Sequence, residues 1–213
     1  MADIFDEVSE DLRKDQYKQI WSKYKKYIIS IIIIFIASIS VFKYINFYQE
    51  KKKIEIATLY FDGIQEIKNK NYENAEAIFK KIIENGGKGY TVLSYFKLAN
   101  INFNKKDFQS MESNYDKIMG LENINKAYKE YALLLKVTNS INVDNEEKIK
   151  LLQPFLTSPS EFQPMASELE ILYLIENKKM KNAENKLKDL LKQKNISNNQ
   201  KYRLNIIDEI YFK

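Results

Sequence analysis

The uncharged run from Tyr27 to Phe42, free of glycine and proline, limits what this chain can become more than any other stretch. Extended to Tyr48 it gains a single charge, Lys43. At a rise of about 1.5 Å per residue, a helix over 27–48 spans roughly 33 Å, enough to cross a hydrocarbon core of about 30 Å. The centre of the run has no polar face, so a soluble buried helix is the poorer account. Trp21, Tyr24 and Tyr27 before it, and Tyr44, Phe47 and Tyr48 at its end, suit the two membrane interfaces, and Lys43 can snorkel to the headgroups. A cleaved signal peptide is the competing reading, because Ser38-Ile39-Ser40 is a small-x-small triplet. Against it stand the long, half-acidic segment in front and the hydrophobicity that continues past the triplet. We therefore expect a single transmembrane helix over 27–48, a tail over 1–26, and a second domain over 49–213.

In the tail, Ile4, Phe5, Val8 and Leu12 recur at helical spacing among Asp3, Asp6, Glu7, Glu10, Asp11 and Asp15, with Asp3 placed to cap. This is either an amphipathic element for a partner or membrane surface, or a weakly helical solvated tail, since so short a helix is marginal alone. Arg13, Lys14, Lys18, Lys23, Lys25 and Lys26 precede the span, against Lys51, Lys52, Lys53 and Lys68 after it. That excess favours a cytoplasmic tail.

The remaining length is large enough for its own core. With no histidine and no cysteine, the Ser-His-Asp and Cys-His arrangements, thiolate chemistry and nearly every zinc or copper site are excluded. The net charge of +5 is the small excess of 34 basic over 29 acidic residues. Only Arg13 and Arg203 are arginines, so the forked donor preferred for phosphates and base edges is scarce, and nucleic acid is not an expected partner. The carboxylate pairs Glu73/Glu76, Glu146/Glu147 and Glu168/Glu170 read as solvated helix faces among lysines. Gly86-Gly87-Lys88-Gly89 lacks the first glycine of a phosphate loop and a hydroxyl after Lys88, so it reads as a turn. Asn195-Ile196-Ser197 fits a glycosylation triplet by chance as easily as by design. The chain is not expected to be an enzyme, to hold a cofactor or metal, or to take a small-molecule substrate.

From Glu50 onward the pattern is helical and periodic. Steps of 36 residues connect Gly63, Ala99, Leu135 and Ile171, and also Phe79, Tyr115, Leu151 and Leu187. Ala75, Met111 and Ala183 share another register, as do Tyr72, Phe108 and Met180, where Asp144 is the exception. A period of this length built from two helices marks an α-solenoid. Leu59, Gly63, Tyr72, Ala75, Phe79 and Ile82 resemble the tetratricopeptide repeat, with small residues where paired helices approach and aromatics around them. The third copy is the poorest, because Asp144, Glu147 and Pro154 interrupt it, although its first helix is clear over 126–139. Asn85-Gly86-Gly87 suggests a left-handed helix stop. Pro154 and Pro164 should bound one longer loop, with a helix starting near Met165. A last amphipathic helix from about Asn198, carrying Tyr202, Leu204, Ile207, Ile210 and Tyr211, should cover the end of the stack.

The expected fold is therefore all-α: one membrane helix, then a TPR-like solenoid of helix pairs with a C-terminal capping helix. By analogy with the repeat, the first helix of each pair lines a concave groove. Tyr60, Ile64, Phe96, Asn100, Phe103, Lys129, Lys136 and Leu172 are expected to face it and to bind segments of other proteins. For Tyr60 and Phe96 the competing reading is packing against the adjoining repeat.

The opening Ala2-Asp3-Ile4-Phe5-Asp6-Glu7-Val8, then Glu10-Asp11-Leu12-Arg13, together with Trp21 and Tyr24, resembles the start of bacterial tetratricopeptide-like proteins similar to the ancillary subunit of the SecYEG translocon. Phe162, Pro164-Met165-Ala166-Ser167-Glu168-Leu169 resembles the lead into their last repeat, and alphaproteobacterial members are the most similar. The resemblance implies a single-pass inner-membrane protein with its N-terminus in the cytoplasm and its repeat domain in the periplasm. It implies the Sec channel and a membrane-anchored periplasmic chaperone as partners, assisting secreted proteins, and it carries no catalytic residues. It leaves open a role in coordinating cell division with envelope growth. The residues themselves leave open a repeat domain on the cytoplasmic side, organising division or polarity factors.

Overall fold

A computed structural model describes the backbone of residues 2–213 and the side chains of residues 13, 14 and 16–213. The apolar stripe and Asp3 cap expected in the tail lie outside the described side chains. The described residues form nine helices and no strand. They fall into two compact units, divided between Glu55 and Ile56.

The first unit belongs to α1 (Ala2–Lys68), which is helical through the whole apolar run and through Ser38-Ile39-Ser40. Its apolar stretch is long enough to cross a membrane, and none of it is buried in the described structure. The serines inside this stretch bond within the helix. Ser30 Oγ donates to the Lys26 carbonyl at 2.9 Å, Ser38 Oγ to Phe35 at 2.7 Å and Ser40 Oγ to Ile36 at 3.0 Å. A hydroxyl bonded this way does not need water, so an apolar solvent can surround it.

The second unit starts with residues 56–68 of α1. It continues with α2 (Tyr72–Asn85), α3 (Lys88–Asn104), α4 (Phe108–Gly120), α5 (Lys126–Asn139), α6 (Asn145–Thr157), α7 (Gln163–Glu176), α8 (Met180–Leu191) and α9 (Asn198–Tyr211). From α2 to α9 each helix packs on the next in the chain, which is the connectivity of a solenoid. The second helix of a pair buries positions i, i+4 and i+7: Ala75, Phe79 and Ile82 in α2, Met111, Tyr115 and Ile118 in α4, Ala183, Leu187 and Leu190 in α8. Helix crossings are close where the side chain is small. A Cβ on Gly63 would come within 2.8 Å of the Phe79 ring, and Ala75, Ala99, Ala132, Ala166 and Ala183 have no accessible surface.

The third pair keeps its helices by shifting register. The 36-residue step places Leu151 in the core, but Leu151 is only half-buried, while Leu152 and Phe155 are fully enclosed. One extra residue precedes α6, and Asp144, which broke the sequence pattern, caps it by accepting from Glu147 N at 2.8 Å. Pro154 does not open the expected loop. It lies inside α6, exposed to solvent, and the helix runs on to Thr157. The connection is residues 158–162, and α7 begins at Gln163 with Pro164 in its first turn, two residues earlier than the sequence suggests.

The turns also differ from expectation. Gly86 and Gly87 are extended, with φ of −83° and −77°, so no left-handed stop forms there. Gly86 is needed for space instead, since a Cβ on it would meet the Ile82 carbonyl oxygen at 2.5 Å. Apart from Asn123, at φ of 54°, the left-handed residues described are lysines: Lys70, Lys106 and Lys178, at φ of 63°, 61° and 58°. They occupy the same position in three helix pairs. In each, the following amide reaches back five residues in a Schellman motif: Asn71 N to Glu66 O, Asp107 N to Asn102 O and Lys179 N to Leu174 O, all at 2.9 Å.

The pair Glu168/Glu170, expected to be solvated, is buried. Arg203 Nε and Nη2 each donate to a Glu168 oxygen at 2.7 Å, and Gln200 Nε2 donates to the same carboxylate at 3.0 Å and to the Pro164 carbonyl at 2.7 Å. Glu170 pairs with Lys186 at 2.8 Å. The Arg203 and Gln200 bonds and the buried Leu204 and Ile207 hold α9 against α7 and α8, and the Glu170–Lys186 pair joins α7 to α8.

Two stability changes follow. Ala75→Leu forces a large side chain into a closed crossing, and overpacking costs about 1–3 kcal/mol. Thermal melting of the detergent-solubilised chain should fall by several degrees, whereas Lys80→Leu, on the outer face, should leave it nearly unchanged. A left-handed L-residue costs roughly 1–2 kcal/mol that glycine does not. Part of this is offset by the freer unfolded chain. Lys106→Gly should therefore raise the melting temperature by a degree or more.

Candidate interaction groove

Helices α3 and α5 are first members of their pairs, and their residues at i, i+3, i+4 and i+7 spacing project to one side. On α3 these are Leu93, Phe96, Lys97, Asn100 and Phe103; on α5, Tyr131, Leu135 and Asn139. With Tyr60 at one end and Tyr115 beneath, they enclose an open groove of about 520 Å³.

Its floor is aromatic. Phe96 lies 5.4 Å from Tyr131 and 6.4 Å from Tyr115 between ring centroids, and Tyr131 stacks on Phe162 at 5.8 Å. Tyr60 is fixed by edge contact with Phe79 at 5.6 Å. Phe103 is 43% exposed and Tyr131 40%, so part of this aromatic surface meets solvent. The uncharged polar groups are the Asn100 and Asn139 amides and the phenols of Tyr60, Tyr115 and Tyr131. Asn139 Nδ2 donates to Tyr115 Oη at 3.3 Å, and Asn104 Nδ2 donates to Asn100 Oδ1 at 3.3 Å. Lys97 is the one charged side chain among the described lining residues. The groove can thus bury an apolar segment and hydrogen-bond its backbone. It holds no paired acid and base for chemistry, and the described residues contain no cluster of metal-ligating side chains.

Of the eight residues singled out by sequence, Tyr60, Phe96, Asn100 and Phe103 line this groove. The other four do not. Ile64 packs on the core formed by Ile56, Ala75 and Phe79, and Leu172 on the core formed by Ile171, Leu174 and Leu187. Lys136 turns to α4, where its Nζ lies 2.6 Å from Asp116 Oδ1. Lys129 is half-buried on α5 away from the lining. The miss on α5 has one cause: its groove residues follow those of α3 by 35 positions, so Tyr131 succeeds Phe96 and Leu135 succeeds Asn100. The aromatic character of Tyr131 was the signal available to find it. Tyr60 and Phe96 serve both readings, each lining the groove while packing on its neighbours.

Burial, and after it the nearby Tyr90, pushes the Tyr60 phenol above its ordinary 10.0. Burial does the same for Tyr115, partly opposed by the Asn139 hydrogen bond. Both stay neutral at physiological pH and present O–H groups. Because the folded state holds these protons more tightly, their contribution to stability is complete below the unfolded-state pKa and is lost as pH rises through the folded one. Titration by ultraviolet absorbance should show at least two tyrosines ionising later than free tyrosine, and stability falling in that alkaline range. Tyr115→Phe should remove one of the late transitions.

Comparison with known proteins places this geometry. The profile of the tetratricopeptide repeat-like domain matches residues 18–170, more than two thirds of the chain. The matched range takes in the apolar stretch of α1 as well as the first three helix pairs. Neither the curated proteins nor the solved structures yielded a match. The chain belongs to the tetratricopeptide repeat-like domain family.

Proposed function

We propose that this protein is a membrane-anchored scaffold that uses the α3–α5 groove to hold an apolar segment of another protein at the membrane. The supporting observation is the exposed aromatic floor bordered by amides and one cation, a lining suited to peptide and without a reactive group. The apolar stretch of α1 is the anchor, over residues 27–48, between a cytoplasmic tail of residues 1–26 and a repeat domain of residues 49–213 on the periplasmic side of the inner membrane. Tethering raises the local concentration of groove and partner toward the millimolar range, so weak contacts suffice. By the resemblance of its N-terminal block, the protein is an ancillary subunit of the Sec translocon, working with a periplasmic chaperone on secreted proteins.

Capture of the full chain from mild detergent tests this reading. Sec channel components should be recovered with it, and Phe103→Ala, at an exposed ring of the groove, should reduce recovery several-fold with little change in melting temperature. No Sec component across several detergents would remove the translocon assignment. Protease added to spheroplasts should digest the repeat domain. Its survival would place the domain in the cytoplasm and favour a scaffold for division or envelope growth.

A further inference from the structure

The α3–α5 groove holds hydrogen-bond donors that the fold leaves without acceptors. Lys97 is half-buried in the lining, and its ammonium makes no ion pair among the described residues. Its own helix cannot supply one, because α3 carries no acidic residue. The acids of α4 and α5 are engaged elsewhere. Glu112 accepts from Ser140 Oγ at 2.6 Å, Asp116 from Lys136 Nζ at 2.6 Å, and Glu130 from Ser160 Oγ at 3.0 Å. Asn100, three residues beyond Lys97, already accepts at Oδ1 from Asn104 Nδ2, and its own Nδ2 has no acceptor among the described residues. Tyr115 Oη accepts from Asn139 Nδ2, and the phenol proton is likewise uncommitted there.

A segment that fills this groove strips water from these groups. The aromatic floor accepts leucine or phenylalanine side chains, but a covered ammonium with no counter-charge is penalised. An occupant that brings an anion to Lys97 removes that penalty, and one that brings a cation adds to it. The position of Lys97 says where in the occupant the anion sits. It stands between Leu93 and Phe103, with about 6 Å of lined helix on one side and about 9 Å on the other. The occupant therefore continues past Lys97 in both directions, which suits a side-chain carboxylate inside the segment and not a chain end. Resting on the groove's role stated above, we propose that its occupant is an apolar segment interrupted by one aspartate or glutamate, whose carboxylate pairs with Lys97 and accepts from Asn100. Lys97 then selects among apolar segments by their charge.

End-capped, dye-labelled peptides of leucine, phenylalanine and serine, with a central glutamate, glutamine or lysine, test this on the full chain in nanodiscs of zwitterionic lipid. Fluorescence anisotropy, corrected for empty discs, should rank them glutamate, glutamine, lysine, several-fold weaker at each step. Lys97→Gln should bring the glutamate and glutamine peptides level. Lys97→Glu should put the lysine peptide first, a gain that an unfolded variant could not show. Equal binding of the glutamate and glutamine peptides to the unaltered chain, or a preference that survives Lys97→Gln, would overturn the proposal. So would a glutamine peptide with a free C-terminal carboxylate that binds as tightly as the capped glutamate peptide, since Lys97 would then serve a chain end. Phe103→Ala separates this proposal from the groove reading. Weaker binding of all three peptides upholds the groove even where their order overturns the charge preference. No binding by any peptide, or none lost in Phe103→Ala, removes both.

Discussion

The repeat unit depends on small residues at the points where helices cross. Packed helices come within about 8–10 Å only if the contacting side chains allow it. Here that permission comes from Gly63 against Phe79 and from alanines with no accessible surface in α2, α3, α5, α7 and α8. The aromatic side chains then fill the space around each crossing: Phe79 beneath Tyr60, Tyr115 beneath Phe96. The groove is a consequence of this packing, since the rings that close the core on one side form its floor on the other.

Charge acts differently at the surface and in the core. Most ion pairs along the helices are solvent-screened lysine–carboxylate contacts worth little individually. Glu168 and Glu170 are the exceptions: Glu170 is buried against Lys186, and Glu168, 7% exposed, accepts from two nitrogens of Arg203 and one of Gln200. A buried carboxylate is tolerable only when so satisfied, which gives α9 a defined seat and leaves its Tyr202–Ile206–Ile210 row facing outward. Of two arginines in the chain, one makes this contact, where the fork of a guanidinium matches both carboxylate oxygens as an ammonium could not.

About half of the groove was legible before the structure. Tyr60, Phe96, Asn100 and Phe103 were found because helix pairs recur at nearly constant spacing and aromatic residues mark the contact row. Lys136 and Leu172 were misplaced by one rule, a strict 36-residue step. A helix turns about 100° per residue, so a drift of a single position moves a side chain from groove to flank, as it moved Leu151 out of the core and Leu152 into it. Glu168 and Glu170 were misread because their partners, Arg203 and Lys186, lie on later helices and no local pattern announces them.

The amino-acid order by itself determined the helical class, the apolar stretch of α1, the pairing of helices and the exclusion of histidine and cysteine chemistry. Each of these follows from composition or from a period, which are local properties of a chain. Only the tertiary structure decided the register of α6, the left-handed lysines in place of a left-handed glycine, the seating of α9, and which residues of α5 meet those of α3. These depend on the rotation of one helix against another, and that rotation is set by side-chain volumes from several helices at once, which no single stretch of sequence contains.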